Sequence, residues 1–106
     1  MRVWLDDERP MPPGFDVHVK TVKEAIRVLG TKKVKHISLD HDLGGLATGY
    51  DVALWIEEKA FTMSIPRLTW EVHSMNPAGA MRIRMAMESA DRQWSRLDDL
   101  PRRKRK

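Results

Sequence analysis

The chain has 106 residues, 42% hydrophobic and 32% charged, and no cysteine. That describes one small domain without a disulfide framework or a thiolate metal site, and no apolar stretch approaches the ~20 residues of a membrane span. The formal charge of +4 suggests a nucleic-acid binder, but residues 102–106 supply five of the 19 basic residues, leaving 14 basic against 15 acidic elsewhere.

Residues 1–100 therefore read as a single α/β domain. Residues 101–106 read as a basic, disordered tail, able to give weak, salt-sensitive contact with RNA or DNA. The opening Arg2-Val3-Trp4-Leu5 is strand-like and lacks the form of a signal peptide. Together with the missing cysteines, this predicts a cytoplasmic protein with no membrane partner.

Residues 2–5 form a short buried strand. The next stretch, Asp6 to Gly14, holds three prolines and a glycine and reads as loop. Residues 15–20 alternate apolar and polar, as a half-exposed edge strand does. Thr21 and Glu24 form a capping-box pair that starts a helix carrying Val22, Ala25, Ile26 and Leu29 on one face, with Gly30 as its C-cap. Lys32, Lys33 and Lys35 lead into a strand at Ile37-Ser38-Leu39, which ends abruptly in Asp40-His41-Asp42-Leu43-Gly44-Gly45. Thr48-Gly49-Tyr50-Asp51 opens a second helix with Val52, Trp55, Ile56 and Ala60 inward. Leu68 to His73 is a fourth strand. Asn76 and Pro77 are an N-cap and first position for a third helix, whose inner face is Ala80, Ile83, Met87 and Ala90. Trp94 and Leu97 are set to pack its end on the body, while Met81, Met85 and Met87 read as packing residues. The order β-β-α-β-α-β-α predicts a mainly parallel four-stranded sheet in a three-layer α/β sandwich.

Ligands of an open parallel sheet bind outside the carboxyl ends of its strands. Adjacent first, third and fourth strands would bring Asp6, Asp7, Asp40, Asp42, His41 and His73 to one rim. Four crowded carboxylates repel one another, and a divalent cation relieves this. Oxygen ligands with retained waters suit Mg²⁺ or Mn²⁺. His41 and His73 are candidates for acid and base in cleaving a phosphoester, or else metal ligands or structural hydrogen bonders. Arg9 at the same rim can fork onto a phosphate or pair with Asp7. Ser74 and Asn76 sit at a helix N-terminus that favours an anion, and Asn76 can serve as cap as well. Gly44, Gly45 and Gly49 suit a loop that approaches a ligand closely.

Three elements in combination, Asp6-Asp7-Glu8-Arg9-Pro10, Leu39-Asp40-His41-Asp42-Leu43-Gly44 with Thr48-Gly49-Tyr50-Asp51, and His73-Ser74-Met75-Asn76-Pro77, resemble the cyclic-phosphate-processing receiver-like domain. This family is a variant of the response-regulator receiver. The resemblance spans residues 2 to about 90 and implies a flavodoxin-like topology. It also implies that Asp6 and Asp7 match the acidic metal-binding pair, Asp40 the phosphoacceptor position and Ser74 the conserved hydroxyl. His41, Asp42 and His73 are additions to the ordinary receiver pattern, and the fifth strand with its phosphate-binding lysine is missing.

The expected function is a metal-dependent phosphoesterase acting on a cyclic-phosphate-bearing, nucleotide-like small substrate. Asp6, Asp7, Asp40 and Asp42 would hold Mg²⁺ or Mn²⁺; His41, His73 and Asp40 would be catalytic; Arg9, Ser74, Asn76, Gly44 and Gly45 would bind substrate. The alternatives are a non-enzymatic receiver-like module for a nucleotide or protein partner, and an RNA-binding accessory protein acting through the tail.

Overall fold

The computed structural model describes residues 1–98. In chain order these form β1 (Arg2–Leu5), β2 (Val17–Val19), α1 (Val22–Leu29), β3 (His36–Leu39), α2 (Gly49–Phe61), β4 (Thr69–Val72) and α3 (Pro77–Asp98). The packing expected of Leu97 and the basic tail fall outside the described residues and side chains.

The sheet order is β2-β1-β3-β4 and every pairing is parallel. The loop after β1 is thus a parallel crossover rather than a hairpin, and β2 lies at the edge where its alternating pattern placed it. Because registered residues of parallel strands point to the same side, Val3, Leu5, Val17, Val19, Ile37, Leu39, Trp70 and Val72 share one face. All three helices pack there: Ala25 and Leu29 from α1, Val52 and Ile56 from α2, and Ile83 and Met87 from α3 join Val3, Leu5, Ile37 and Leu39 in one buried cluster.

The other face carries Arg2, Trp4, His18, His36, Ser38 and Glu71. Here the third layer of the sandwich is the loop between β1 and β2. The Trp4 indole donates to the Arg9 carbonyl at 3.2 Å, Phe15 meets the Trp4 ring edge-on at 5.2 Å, and Arg2 Nε donates to the Gly14 carbonyl at 2.9 Å.

The helix starts follow their capping residues. Thr21 accepts from the Glu24 amide, while the Glu24 carboxylate takes the Lys20 amide. Thr48 and Asp51 form a reciprocal capping box that fixes the entry to α2. Gly30 caps α1 in a right-handed conformation, and the left-handed residue of that turn is Lys32, with φ 66°. The third helix runs on through Trp94, which is buried and donates its indole N–H to the Ile65 carbonyl at 3.2 Å.

Candidate functional site

The chain leaves β1 towards β2 on one side, and β3 lies on the other side of β1. The crevice between the ends of β1 and β3 is therefore the topological switch point where ligands bind in open α/β sheets. The ladder continues one residue past the strands: Asp6 N–H donates to Val19 O, Asp40 N–H to Leu5 O, and His73 N–H to Leu39 O, at 3.0 to 3.1 Å. These bonds hold Asp6, Asp40 and His73 in step across the sheet. One ligand atom from each lies within 4.8 Å of the others.

Asp6 is 1% exposed. Its Oδ1 accepts from the Glu8 and Arg9 amides at 2.8 and 2.7 Å, and its Oδ2 accepts from His73 Nε2 at 3.0 Å. Burial works to raise its pKa, but these hydrogen bonds and the neighbouring imidazole together hold it below the ordinary carboxylate value. Asp40 is the opposite case. Burial and the charge of Asp6 push its pKa up against the His41 amide, His73 and Arg9, which act to lower it. The Asp40 Oδ1 accepts from the His41 amide at 2.8 Å.

His73 is held on every side. A carboxylate only accepts, so Nε2 carries the proton toward Asp6. Nδ1 lies 2.7 Å from Ser38 Oγ, which donates to a neutral ring and accepts from a charged one. The ring stacks on Trp4. Arg9 donates to the His73 carbonyl at 2.8 Å; of its two readings, the pairing with Asp7 is not among the ion pairs of the described residues.

The remaining predicted residues divide between the rim and a neighbouring group. His41 Nδ1 bonds Asp42 Oδ1 at 2.8 Å, and the Asn76 side-chain amide approaches the same oxygen at 3.4 Å. The hydrogen bond from His41 leads in lowering the Asp42 pKa. Asp42 is exposed and lies outside the Asp6–Asp40–His73 group. Asn76 caps α3 through the Gly79 amide at 3.0 Å, and the Ser74 hydroxyl accepts from the Asn76 amide at 3.0 Å. Asp7 is likewise outside the group. A Cβ at Gly44, where φ is +79°, would come within 2.8 Å of Asp7 Oδ2, whereas one at Gly45 would meet nothing within 4 Å.

Three residues essential to this geometry carried no functional signal in the sequence. Trp4 and Ser38 read as ordinary strand positions. Gly79 read as a helix residue, yet a Cβ there would run into the His41 ring; Gly49, a candidate for close approach of a ligand, instead makes room for the Asp40 carbonyl oxygen. The shared parity of Trp4, Ser38 and His73 along adjacent parallel strands was the available clue.

The family model of the cyclic-phosphate processing receiver domain matches residues 1–89. No curated protein and no solved structure matches the chain.

Proposed function

The chain belongs to the cyclic-phosphate processing receiver domain family, and from that premise we propose that the rim around Asp6 and Asp40 hydrolyses a cyclic phosphoester on a small nucleotide-like substrate. The observation that carries this reading is the pairing of two carboxylates with opposed pKa shifts beside a second, separate His–Asp pair. Sites that titrate neighbouring groups apart are characteristic of chemistry rather than of packing.

A divalent cation suits this donor set. Burial, and after it the charge of Asp6, raise the pKa of Asp40, a cation beside the two carboxylates would offset both, and oxygen donors favour Mg²⁺ or Mn²⁺. Asp6 and Asp40 are the residues to hold it, with Asp7 and Asp42 near enough in sequence to contribute through water. When bound, such an ion supplies Lewis acidity to a phosphoryl oxygen and makes water a better nucleophile. Asp6 is kept ionised by its three hydrogen bonds. Arg9, fixed by the His73 carbonyl, contributes positive charge beside Asp40.

The arrangement supports His41, rather than His73, as the proton-transfer group. With Nδ1–H directed to Asp42, Nε2 of His41 has the lone pair needed to accept a proton from water. As the water oxygen bonds to phosphorus, the ring P–O ester bond breaks, and the proton taken by His41 passes to the departing alkoxide. His73 has both ring nitrogens engaged, so it acts by holding Asp6 and Arg9 in place.

That same engagement of His73 and Arg9 favours a second reading, a non-enzymatic module that binds a nucleotide or protein partner. The two are separated by assaying nucleoside 2′,3′-cyclic phosphates and ADP-ribose cyclic phosphate with Mg²⁺, Mn²⁺ or chelator, beside calorimetry on the same compounds. Cation-dependent ring opening, lost in Asp40→Asn and His41→Ala, supports the hydrolase. Calorimetric binding without turnover supports the module.

A further inference from the structure

The net charge of the chain conceals a separation that the fold imposes. In a parallel sheet the segments leaving strands lie at the carboxyl rim, and those leading from helices into strands lie at the opposite, amino pole. The first set here contains Asp6, Asp7, Glu8, Asp40 and Asp42 against Arg9 and Lys20. The second contains Lys32, Lys33 and Lys35 before β3, and Arg67 before β4. The third helix starts at the carboxyl rim and runs 22 residues, so it ends at the amino pole. There Arg67 donates to the Asp91 carbonyl at 2.9 Å and to Ser95 Oγ at 2.6 Å, and Arg96 donates to the Phe61 carbonyl at 3.1 Å. Asp91, an acid of this region, is taken by the Trp70 indole at 3.0 Å.

A cavity of about 410 Å³ opens at this pole, with Met63, Ile65, Pro66 and Trp94 as apolar wall and Lys32 and Arg67 as charged members. Its wall holds two strained positions. Lys32 at φ 66° and Met63 at φ 58° are the non-glycine residues with left-handed backbone among those described.

We propose that the amino pole is a binding site for single-stranded nucleic acid. The phosphates would lie along Lys32, Lys33 and Lys35, and one nucleotide would enter the cavity. Cations around an apolar pocket of nucleotide size match the combination of backbone charge and base burial that single strands use. A flat anionic surface would use the charges and leave the cavity idle. The acidic carboxyl rim turns away from a polyanion, so the charge separation orients the encounter and leaves the Asp6–Asp40 site open.

The test is fluorescence anisotropy of the full chain with a labelled single-stranded oligouridylate of about 12 nucleotides, a length within the range of one such site, titrated at several salt concentrations. The expected result is salt-dependent binding that the exposed-lysine variant Lys32→Gln/Lys33→Gln/Lys35→Gln weakens, lowering the log–log salt slope by about 2 for three lost phosphate contacts. Asp40→Asn, at the opposite rim, leaves binding unchanged. Undiminished binding by the triple variant, with loss only when residues 102–106 are neutralised, overturns the proposal in favour of the tail alone. Absence of oligonucleotide binding overturns it too, and retention on phosphatidylserine vesicles in that case assigns the pole to a lipid surface.

Discussion

The imidazole of His73 lies flat on the indole of Trp4, with ring centroids 3.8 Å apart and planes 8° from parallel. Trp4 lies on β1 and His73 just past β4, two residues beyond the register partner Glu71, and the intervening β3 would keep their backbones at least about 9.6 Å apart. They meet because the intervening residue on that face is Ser38, small enough to be crossed and polar enough to bond His73 Nδ1. Trp4 also holds the Arg9 carbonyl, so one indole positions both the imidazole and the loop that carries the arginine.

Ser38 is therefore set by size and by chemistry. Ser38→Ala removes the partner of a half-buried ring nitrogen and is expected to cost about 1 kcal/mol. Ser38→Val fills the space between the two rings and is expected to cost about 1–3 kcal/mol beyond that. Urea denaturation measures both. Equal stability of the two variants would show that the rings do not depend on the gap.

Asp40 should behave as a site residue whose charge the apo fold tolerates poorly. Asp40→Asn removes the repulsion with Asp6, so the apo variant is expected to match or exceed the wild type in melting temperature at neutral pH. Wild type should gain about 1.4 kcal/mol when Mn²⁺ or Mg²⁺ is present at about ten times its Kd. The variant should lose most of this gain. A thermal shift of equal size in both proteins would remove Asp40 from the cation site.

The sequence made the strand ends legible because each apolar run turns acidic or polar at its carboxyl end, and β1 was placed residue for residue. It was less informative about which carboxylates converge. Asp6, Asp7, Asp40 and Asp42 looked equivalent, but Asp7 follows Asp6 on the opposite side of an extended chain, and Asp42 lies beyond the end of β3 with its carboxylate on His41, so Asp6 and Asp40 meet without them. The choice of Asp42 as partner for His41 depends on Gly79, some forty residues away, and no local pattern encodes that. Nor does a count of charges reveal that the fold sends basic connections to one pole and acidic ones to the other.

Gly79 separates the two histidines experimentally. In Gly79→Ala the helix gains intrinsic stability, up to about 1 kcal/mol, but the new methyl displaces the His41 ring and breaks its bond to Asp42. The expected outcome is a global stability within about 1 kcal/mol of wild type, an altered His41 imidazole signal by NMR, and an unchanged His73 signal. If ring opening is detected in wild type, this variant should lose at least about 10²-fold, the lower range for a lost general base. Intact turnover with a displaced His41 would exclude that residue from proton transfer.

The two central carboxylates also dictate opposite arms of the stability–pH profile. The pKa of Asp6 is lowered on folding, so its contribution is present above the unfolded value of 3.8 and is lost as pH falls through the folded value. The pKa of Asp40 is raised on folding, so its contribution is full below 3.8 and is lost as pH rises through the folded value. Wild type should accordingly gain stability from Asp40 as pH drops from neutrality toward 3.8, and lose the Asp6 contribution below it. Asp40→Asn should flatten the upper arm and keep the acid loss. Asp6→Asn, which retains a side-chain acceptor for the Glu8 and Arg9 amides, should weaken the acid loss and, by removing the neighbouring charge, also shrink the upper arm. Denaturation curves collected with chelator across the acid range measure each arm, and an acid loss undiminished in Asp6→Asn would place its origin in other carboxylates.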